Sequence, residues 1–549
     1  MPVYAPAMRV DVVLTPGSFW GSRWEQVRNV TVPVLLEQLE RHGVVDALRT
    51  AVGDLAQPRQ GLWFTDSDLA KWLEAAIRVR RFDLVDPVME LLARAQAPDG
   101  YLSSWFCGAA ADQRYTWLTQ SHELYCMGHL IEAAVADLEV RGETPLVDVA
   151  RRIAGHVADT FGPAGPLETT DGHPEIELAL ARFAIATGDE RALETAEVLL
   201  RRGPLDVLDQ LWGHAVRAIY FATGAELLGR AAGRADHAEL ADRLWTSMVG
   251  TRMYVTGGVG GRWLGEMTGK PFELPSTMAY AETCAAVAAF RWAMLRGEHD
   301  TAERILYNGV LAGVGADGAS WHYSNPLASD GQAEQLPWAD HNDFGIMSLA
   351  ERFPARRLPW YAVTCCPTNA TRLLAELPAH VAGLRPDGAV HVRLPTACTI
   401  ATGGSTVTVD TGYPWADVVR VSVDGDADVV VEPVEVTTRA LVADPRVEAA
   451  GGRVAVVRGP IVYCAEGVDH DGLDVRRIRL DRVTGEHIDD SLTGRPVVLT
   501  GRGTIEVGEP RLYRDRAVPV SRRRLDVTLV PYYQWGERGI GTMAVWLDG

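Results

Sequence analysis

The strongest constraint on this chain is a change of hydrophobic period near residue 384. Upstream, from about residue 29 to residue 380, apolar residues recur at helical spacing in roughly twelve segments, most of them ended by Gly, Pro or Asp. Examples are VPVLLEQLERHGVV from Val32, DSDLAKWLEAAIRV from Asp66, HELYCMGHLIEAAVADLEV from His122, EIELALARFAIATG from Glu175, GHAVRAIYFATGAELLG from Gly213 and AETCAAVAAFRWAMLRG from Ala281. Asp66 and Ser67 are N-cap candidates for the second of these. Twelve helices make six hairpins, and hairpins packed in a closed ring form an (α/α)6 barrel with ligand sites at one mouth. Downstream, VHVRLP, CTIAT, STVTVDTG, VVRVSVDG, DVVVEPVEV, RVAVVRGPIVYC, LDVTLVPYY and GTMAVWLDG alternate in period two and break at Gly and Asp, the pattern of a β-sandwich. The expected architecture is therefore multidomain α + β: an (α/α)6 barrel over residues 1–384, then a β-sandwich region over 385–549, divided into two small sandwiches. A strand-like segment at about 8–15 is expected to pair with the sandwich. Neither a repeat of 20 to 50 residues nor a low-complexity linker is visible.

Composition narrows the partners. A formal net charge of −19 and a pI near 5.2 would repel nucleic acid and anionic membranes, so a small neutral or polar substrate fits better. The first residues lack the pattern of a secretory signal, and no stretch reaches the ~20 apolar residues of a membrane span, which leads to a cytoplasmic expectation. Seven cysteines are too few and too odd in number for a disulfide framework.

The most specific chemical signal is Glu282-Thr283-Cys284 together with Cys365-Cys366-Pro367-Thr368-Asn369. Three thiols and a carboxylate make a tetrahedral zinc set if the fold joins the two segments; otherwise Cys284 is a buried apolar residue and the pair is chance. Glu282 and Cys284 are two apart, so both can serve one site only at a helix start. A metal-held thiolate exists at neutral pH and can act as a nucleophile. Glu266, in the turn-rich GGVGGRWLGEMTG, is a candidate general acid or a plain surface carboxylate. His122, His129, His173 and His214 lie at or near helix starts and could share a pocket as hydrogen-bonding groups for sugar hydroxyls. Trp63, Trp72 and Trp105 are placed near loop ends, where they could stack on a sugar.

These residues, with AQAPDGYL, GHPEIELAL, GHAVRAIY, YAETCA, LYNGVLAG, YSNPL, CCPTN, YPW at Tyr413, RGPIVYC at Arg458 and VPYYQWGERG at Val530, resemble the bacterial β-L-arabinofuranosidases of glycoside hydrolase family 127 over nearly the whole chain. The resemblance implies a retaining glycosidase. It implies Zn2+ held by Glu282, Cys284, Cys365 and Cys366, with Cys365 as nucleophile and Glu266 as general acid/base. It further implies that His122, His173, His214 and Tyr323, and by a looser match Glu303, bind the sugar. The chain departs from the family between His173 and His214, where ETAEVLLRRGPLDVLDQLWGHAV is shorter and lacks a Gln-Asp-His-Pro-like segment, so part of the pocket rim is expected to differ. The expected partner is a small-molecule or oligosaccharide substrate, with no nucleic acid and no membrane; a homodimer is left open. Competing readings are a hydrolase of another furanose-like or branched sugar, an epimerase or unsaturated-sugar hydrolase needing no thiols, and a non-catalytic zinc-stabilised carbohydrate-binding protein.

Overall fold

The computed structural model describes residues 10–203, 209–332, 355–507 and 521–549, and the single positions 347, 351, 353, 513 and 515. Its helices are α1 (Phe19–Gln26), α2 (Val32–Arg41), α3 (Val44–Ala51), α4 (Asp66–Arg78), α5 (Phe82–Ala95), the short α6 (Leu118–Ser121), α7 (Glu123–Arg141) and α8 (Pro145–Phe161). They continue as α9 (Ile176–Thr187), α10 (Glu190–Arg202), α11 (Ala215–Ala231), α12 (Ala235–Thr251), α13 (Thr283–Arg296), α14 (His299–Arg304) and α15 (Cys365–Val381). Helices α4, α7, α9, α11, α13 and α15 pack against one another in that order, and α15 returns to α4, so the six close a ring.

Side-chain pattern explains which helices are inside. In α13 every residue from Thr283 to Leu295 is buried, and Ala-rich spacing lets neighbours approach on all sides. In α8 burial follows a stripe of Leu146, Val149, Ala150, Ile153, Val157 and Phe161, which marks an outer helix with one wet face. Helix α5 packs on α4 and α8, α8 on α7, α10 on α9, α12 on α11, and α14 on α13.

The ring's interior is cross-linked by charge. Arg291 of α13 donates at 2.7 Å to Glu74 of α4 and at 2.7 Å to Glu376 of α15. Arg372 donates at 2.9 Å to Glu74, and Arg182 of α9 pairs with Glu132 of α7. Against the desolvation of burial, Arg291 and Arg372 hold the Glu74 carboxyl down at about 2.

Local chemistry moved two boundaries. The helix expected from Val32 to Val45 splits, because Gly43 takes φ 76° and starts a separate α3. Thr65, not Asp66 or Ser67, precedes the first turn of α4. Asp66 instead accepts from the Ser104 amide at 2.7 Å and from the Ser104 hydroxyl, a loop-to-helix tie that outbids a cap.

After α15 the chain turns to strands. In a four-stranded antiparallel sheet β1 (Asp11–Leu14), β5 (Cys398–Thr402), β6 (Ser405–Thr411) and β7 (Val419–Asp424) lie in that order, with Leu14 opposite Cys398. Residues 8 and 9 of the expected first strand lie outside the described residues. A second sheet joins β3 (Ala382–Leu384), β4 (Val390–Val392) and β8 (Val429–Val431). The largest runs β2 (Ala328–Ser329), β15 (Met543–Ala544), β11 (Ile461–Glu466), β14 (Arg522–Pro531), β13 (Val497–Glu506), β12 (Ile478–Ile488), β16 (Trp546–Asp548), β10 (Arg453–Arg458) and β9 (Thr438–Leu441). Because β10 also pairs with β11, this sheet curls back on itself. The molecule is thus a helix-rich domain followed by a β-rich one. Among the described residues no helix is long and apolar enough to cross a membrane.

The VPYYQWGERG segment couples the two regions. The Tyr532 hydroxyl donates to Pro326 O at 2.8 Å, and the Trp535 ring stacks on His322 at 4.7 Å. Arg357 donates to the carbonyls of Ala312, Tyr533 and Trp535. On the other flank, the Glu303 side chain accepts from the Tyr413 hydroxyl at 2.6 Å. Burial pushes the Glu303 carboxyl up to about 7. A carboxyl raised in the fold is bound to a proton that the unfolded chain has already released, so it lowers stability as pH rises from its ordinary range through about 7. Glu303→Gln should therefore raise the unfolding free energy at pH 8, by about 1 to 2 kcal/mol for this half-buried group, and leave it nearly unchanged at pH 4.5. Denaturant unfolding at the two pH values measures the difference.

Candidate active site

The N-terminal ends of the six ring helices meet at one mouth. Glu282 caps α13 with extended backbone (φ −62°, ψ 138°), so Glu282 and Cys284 occupy its opening turn. Cys365 and Cys366 open α15 behind Thr364. Two helices thus bring the positive ends of their dipoles to one cluster of sulfur atoms, an arrangement that favours thiolate.

One ligand atom from each of Glu282, Cys284, Cys365 and Cys366 lies within 4.8 Å of all the others. Cys365 Sγ is 3.9 Å from Cys366 Sγ and 3.8 Å from Glu282 Oε1, while Cys366 Sγ is 3.6 Å from the same oxygen. Glu282, Cys284 and Cys366 are buried and Cys365 is partly open. Hydrogen bonds from Cys284 and then Cys366 hold the Cys365 thiol well below the ordinary cysteine value, whereas desolvation pushes Cys284 and Cys366 well above it. The trio therefore favours one anionic sulfur, on the residue that faces the opening. Tyr280 donates to the second oxygen of Glu282 at 2.8 Å and fixes the carboxylate. The glycine run upstream has its reason here: Gly260, at φ 127°, has room for no Cβ, which would lie 2.9 Å from the Tyr280 ring.

Glu266 faces this cluster across Tyr323. The Tyr323 hydroxyl lies 3.2 Å from Glu266 Oε1 and 3.5 Å from Cys365 Sγ, and His214 Nε2 lies 2.6 Å from Glu266 Oε2. Glu266 follows Gly265, and both adopt left-handed backbone, with φ 54° and 69°. His122 (φ 55°) and Ala281 (φ 33°) do the same, so strained non-glycine residues gather around the mouth, as they do where side-chain direction matters more than local energy.

Of the four histidines singled out for one pocket, His122, His173 and His214 lie side by side. The His122 and His173 rings are 5.6 Å apart, and those of His173 and His214 are 5.8 Å apart. His122 and His214 immediately precede α7 and α11, and His173 lies just ahead of α9. Asp171 organises them, accepting from the Leu124 amide at 2.9 Å and the His173 amide at 2.8 Å, with His122 Nδ1 at 3.5 Å. Sequence reasoning missed Asp171, although its place two residues before a histidine in Asp-Gly-His-Pro is the pattern of an Asx turn. It also missed Lys71, whose ammonium is fully buried and donates to the Tyr125 hydroxyl at 2.6 Å. Asp68 went unnoticed too; it accepts from Thr364 at 2.8 Å, and burial raises its carboxyl to about 6.

Other expectations are corrected. Glu303 stands apart from the cluster: α13 runs for 14 residues before α14 begins, and Glu303 bonds Tyr413 of the β-rich region. His129 is fully buried inside α7, against Glu175 at 3.1 Å. Trp72 is core, donating to Val32 O at 2.9 Å. Trp63 remains at the rim, 4.9 Å from the half-exposed Trp117, and Trp105 is covered by Arg59 at 4.7 Å. Residues 204–208 of the shortened segment lie outside the described residues.

The four-residue cluster fits a tetrahedral metal. Zinc–sulfur bonds of about 2.3 Å require sulfur–sulfur edges of about 3.8 Å and slightly shorter sulfur–oxygen edges, close to the separations above. Purified, reduced protein should bind about one zinc equivalent at this cluster, and Glu282→Gln, Cys284→Ser or Cys366→Ser should weaken that binding by at least about 10-fold. Competition with a chromogenic chelator reads the affinity.

Comparison with known proteins agrees over both regions. Residues 11–379 match the β-L-arabinofuranosidase, GH127 catalytic domain, and residues 438–548 match the glycoside hydrolase family 127 C-terminal domain. The chain is 31% identical to the non-reducing end β-L-arabinofuranosidase of Bifidobacterium longum subsp. longum, across 96% of both chains. It superposes on a GH127 β-L-arabinofuranosidase from Geobacillus stearothermophilus T6 with a TM-score of 0.87 at 29% identity, covering 98% of this chain and 100% of that one. A second solved GH127 β-arabinofuranosidase gives 0.85 at 27% identity, covering 100% and 98%. With both family domains matched in order, and with a curated relative alike along nearly its full length, the chain belongs to glycoside hydrolase family 127.

Proposed function

We propose that this glycoside hydrolase releases a terminal β-L-arabinofuranose with retention of configuration, using Cys365 as nucleophile and Glu266 as general acid and then general base. The observation that carries the reading is the shared Tyr323 hydroxyl, 3.5 Å from Cys365 Sγ and 3.2 Å from Glu266 Oε1. Those contacts limit the sulfur and the carboxylate to less than about 7 Å apart, compatible with direct attack by one and proton transfer by the other. The choice of sugar rests on the named relatives.

In the first half-reaction the Cys365 sulfur forms a bond to the anomeric carbon as the glycosidic C–O bond breaks, and Glu266 gives its proton to the departing oxygen. In the second, Glu266 takes a proton from water, the water oxygen bonds to the anomeric carbon, and the C–S bond returns its electron pair to sulfur. A zinc ion held by Glu282, Cys284, Cys365 and Cys366 would keep the sulfur deprotonated and make it a better leaving group. Hydrogen bonding from Cys284 and Cys366 acts in the same direction. His214 orients Glu266 at 2.6 Å. His122 and His173, held through Asp171, and Tyr323 are assigned to the sugar hydroxyls; Glu303 is given no part. For the scaffold, the closed ring of six helices with its outer partners supports an (α/α)6 barrel over residues 1–384. The four- and three-stranded sheets, with alternating burial in β5 and β6, support a small sandwich drawn mostly from 385–549, to which β1 and β3 are added from the preceding residues.

A chromogenic β-L-arabinofuranoside tests this. Cys365→Ser should lower kcat/KM by at least about 10³-fold with the unfolding transition retained. Glu266→Gln should cost about 10² to 10⁴-fold, and more for an alkyl leaving group than for a nitrophenolate. Chelator and thiol alkylation should each stop turnover, and full activity of Cys365→Ser would remove the mechanism.

A further inference from the structure

A second group of metal-ligating side chains lies away from the mouth, where the helical and β-rich regions join. His299 is the first residue of α14, His391 is the middle residue of β4, and Glu432 directly follows β8. Strand register brings two of them to one side. Strands β4 and β8 run parallel with His391 opposite Val430, and Glu432, two residues beyond Val430, returns to the same face. The neighbours Val390 and Val392 point the other way, into the core, at 0% exposure. The Glu432 amide donates to Val392 O at 3.0 Å and locks the strand end in place. Helix α14 then lays His299 over the pair. His299 Nδ1 lies 3.0 Å and His391 Nε2 lies 2.8 Å from the same oxygen, Glu432 Oε1, and the two rings are 5.2 Å apart.

We propose that His299, His391 and Glu432 form a second metal site, which takes one divalent ion of the zinc class and pins the helical region to the β-rich region. One atom from each of the three lies within 4.8 Å of the other two. A shift of about 0.5 Å would bring the nitrogen–oxygen separations to those around a tetrahedral ion. Two imidazoles and one carboxylate suit Zn2+, Ni2+ or Cu2+. The single carboxylate, with the Arg393 guanidinium near His299, disfavours Mg2+ and Ca2+, which need several anionic oxygens. All three residues are partly exposed, so an ion can enter and water can complete its shell. Binding takes the lone pairs of these two ring nitrogens, and each neutral imidazole carries its proton on its other nitrogen.

Cobalt titration of the whole apoprotein tests the assignment, because the two sites differ in colour. Cobalt at the cysteine cluster gives strong sulfur-to-metal charge-transfer absorption, whereas cobalt at His299, His391 and Glu432 gives only weak ligand-field bands. Wild-type protein should take up a second equivalent with weak bands alone, and zinc at that equivalent should raise the Tm. His391→Gln and, separately, Glu432→Gln should lose the second equivalent and its Tm increase while keeping the first equivalent and hydrolysis; the retained charge-transfer band reports that each variant is folded. Saturation of the wild type at one equivalent would overturn the proposal, as would a second equivalent that persists in both variants and so belongs to some other group.

Discussion

Everything at the mouth depends on how three cysteines and a glutamate can share a buried space without mutual repulsion. Four acidic groups within 4.8 Å cannot all ionise in a low-dielectric site unless positive charge is brought to them. The fold supplies part of that charge before any ion arrives, through the N-terminal turns of α13 and α15 and the buried ammonium of Lys71, whose positive charge favours the Cys365 anion. It also leaves Cys284 and Cys366 as donors to Cys365, which selects the sulfur that faces the opening. The ring explains why such an arrangement is available: inner helices that all enter from the same side present six N-termini to one space, and a histidine, carboxylate or thiol placed at any of them points inward.

Holding those helices in register falls to charges deeper in the ring. Glu74, Arg291, Arg372 and Glu376 tie α4, α13 and α15, and Arg182 with Glu132 ties α7 and α9. Such groups are costly to bury, and any one of them left alone would be strongly destabilising. They specify which helices adjoin more sharply than alanine and leucine surfaces can. The β-rich region acts on the site from outside by stacking Trp535 on His322, next to Tyr323, and by pairing β15 with β2 just downstream. Tyr323 therefore sits on a segment restrained by both regions, which suits a hydroxyl that must face a sulfur and a carboxylate together.

Much of this was legible in the sequence, for reasons that differ by element. Helices such as α13 announce themselves by small and apolar residues between glycine stops, and strands such as β5 and β6 by strict alternation. The long β12–β13 hairpin did not, because Arg479, Arg482 and Glu486 crowd one strand, Gly501 and Gly503 interrupt the other, and two bulges break the alternation. Within the site, Glu282, Cys284, Cys365 and Cys366 were visible as chemistry. Asp68, Lys71 and Asp171 were not, since a charged residue in the first two turns of a helix, or in a loop, looks the same whether it faces solvent or an enclosed pocket. Glu303 misled for the converse reason: its neighbours in sequence resemble a known pattern, but the α13–α14 turn carries it to Tyr413.

The ring's closure also sets an order on how the chain can be made. Helix α4 needs α15 beside it, and the two are separated by nearly 300 residues; β1 waits still longer for β5. At ribosomal speeds of about 5 to 20 residues per second, α4 exists for roughly 15 to 60 s before its last neighbour emerges. During that interval the apolar inner faces of α4, α7 and α9 line an open trough, and the three thiols arrive late in it, Cys284 about 80 residues before Cys365 and Cys366. The sulfur cluster is therefore assembled only when the trough shuts, so the nascent chain holds Cys284 as an isolated thiol until synthesis of the helical region is nearly complete.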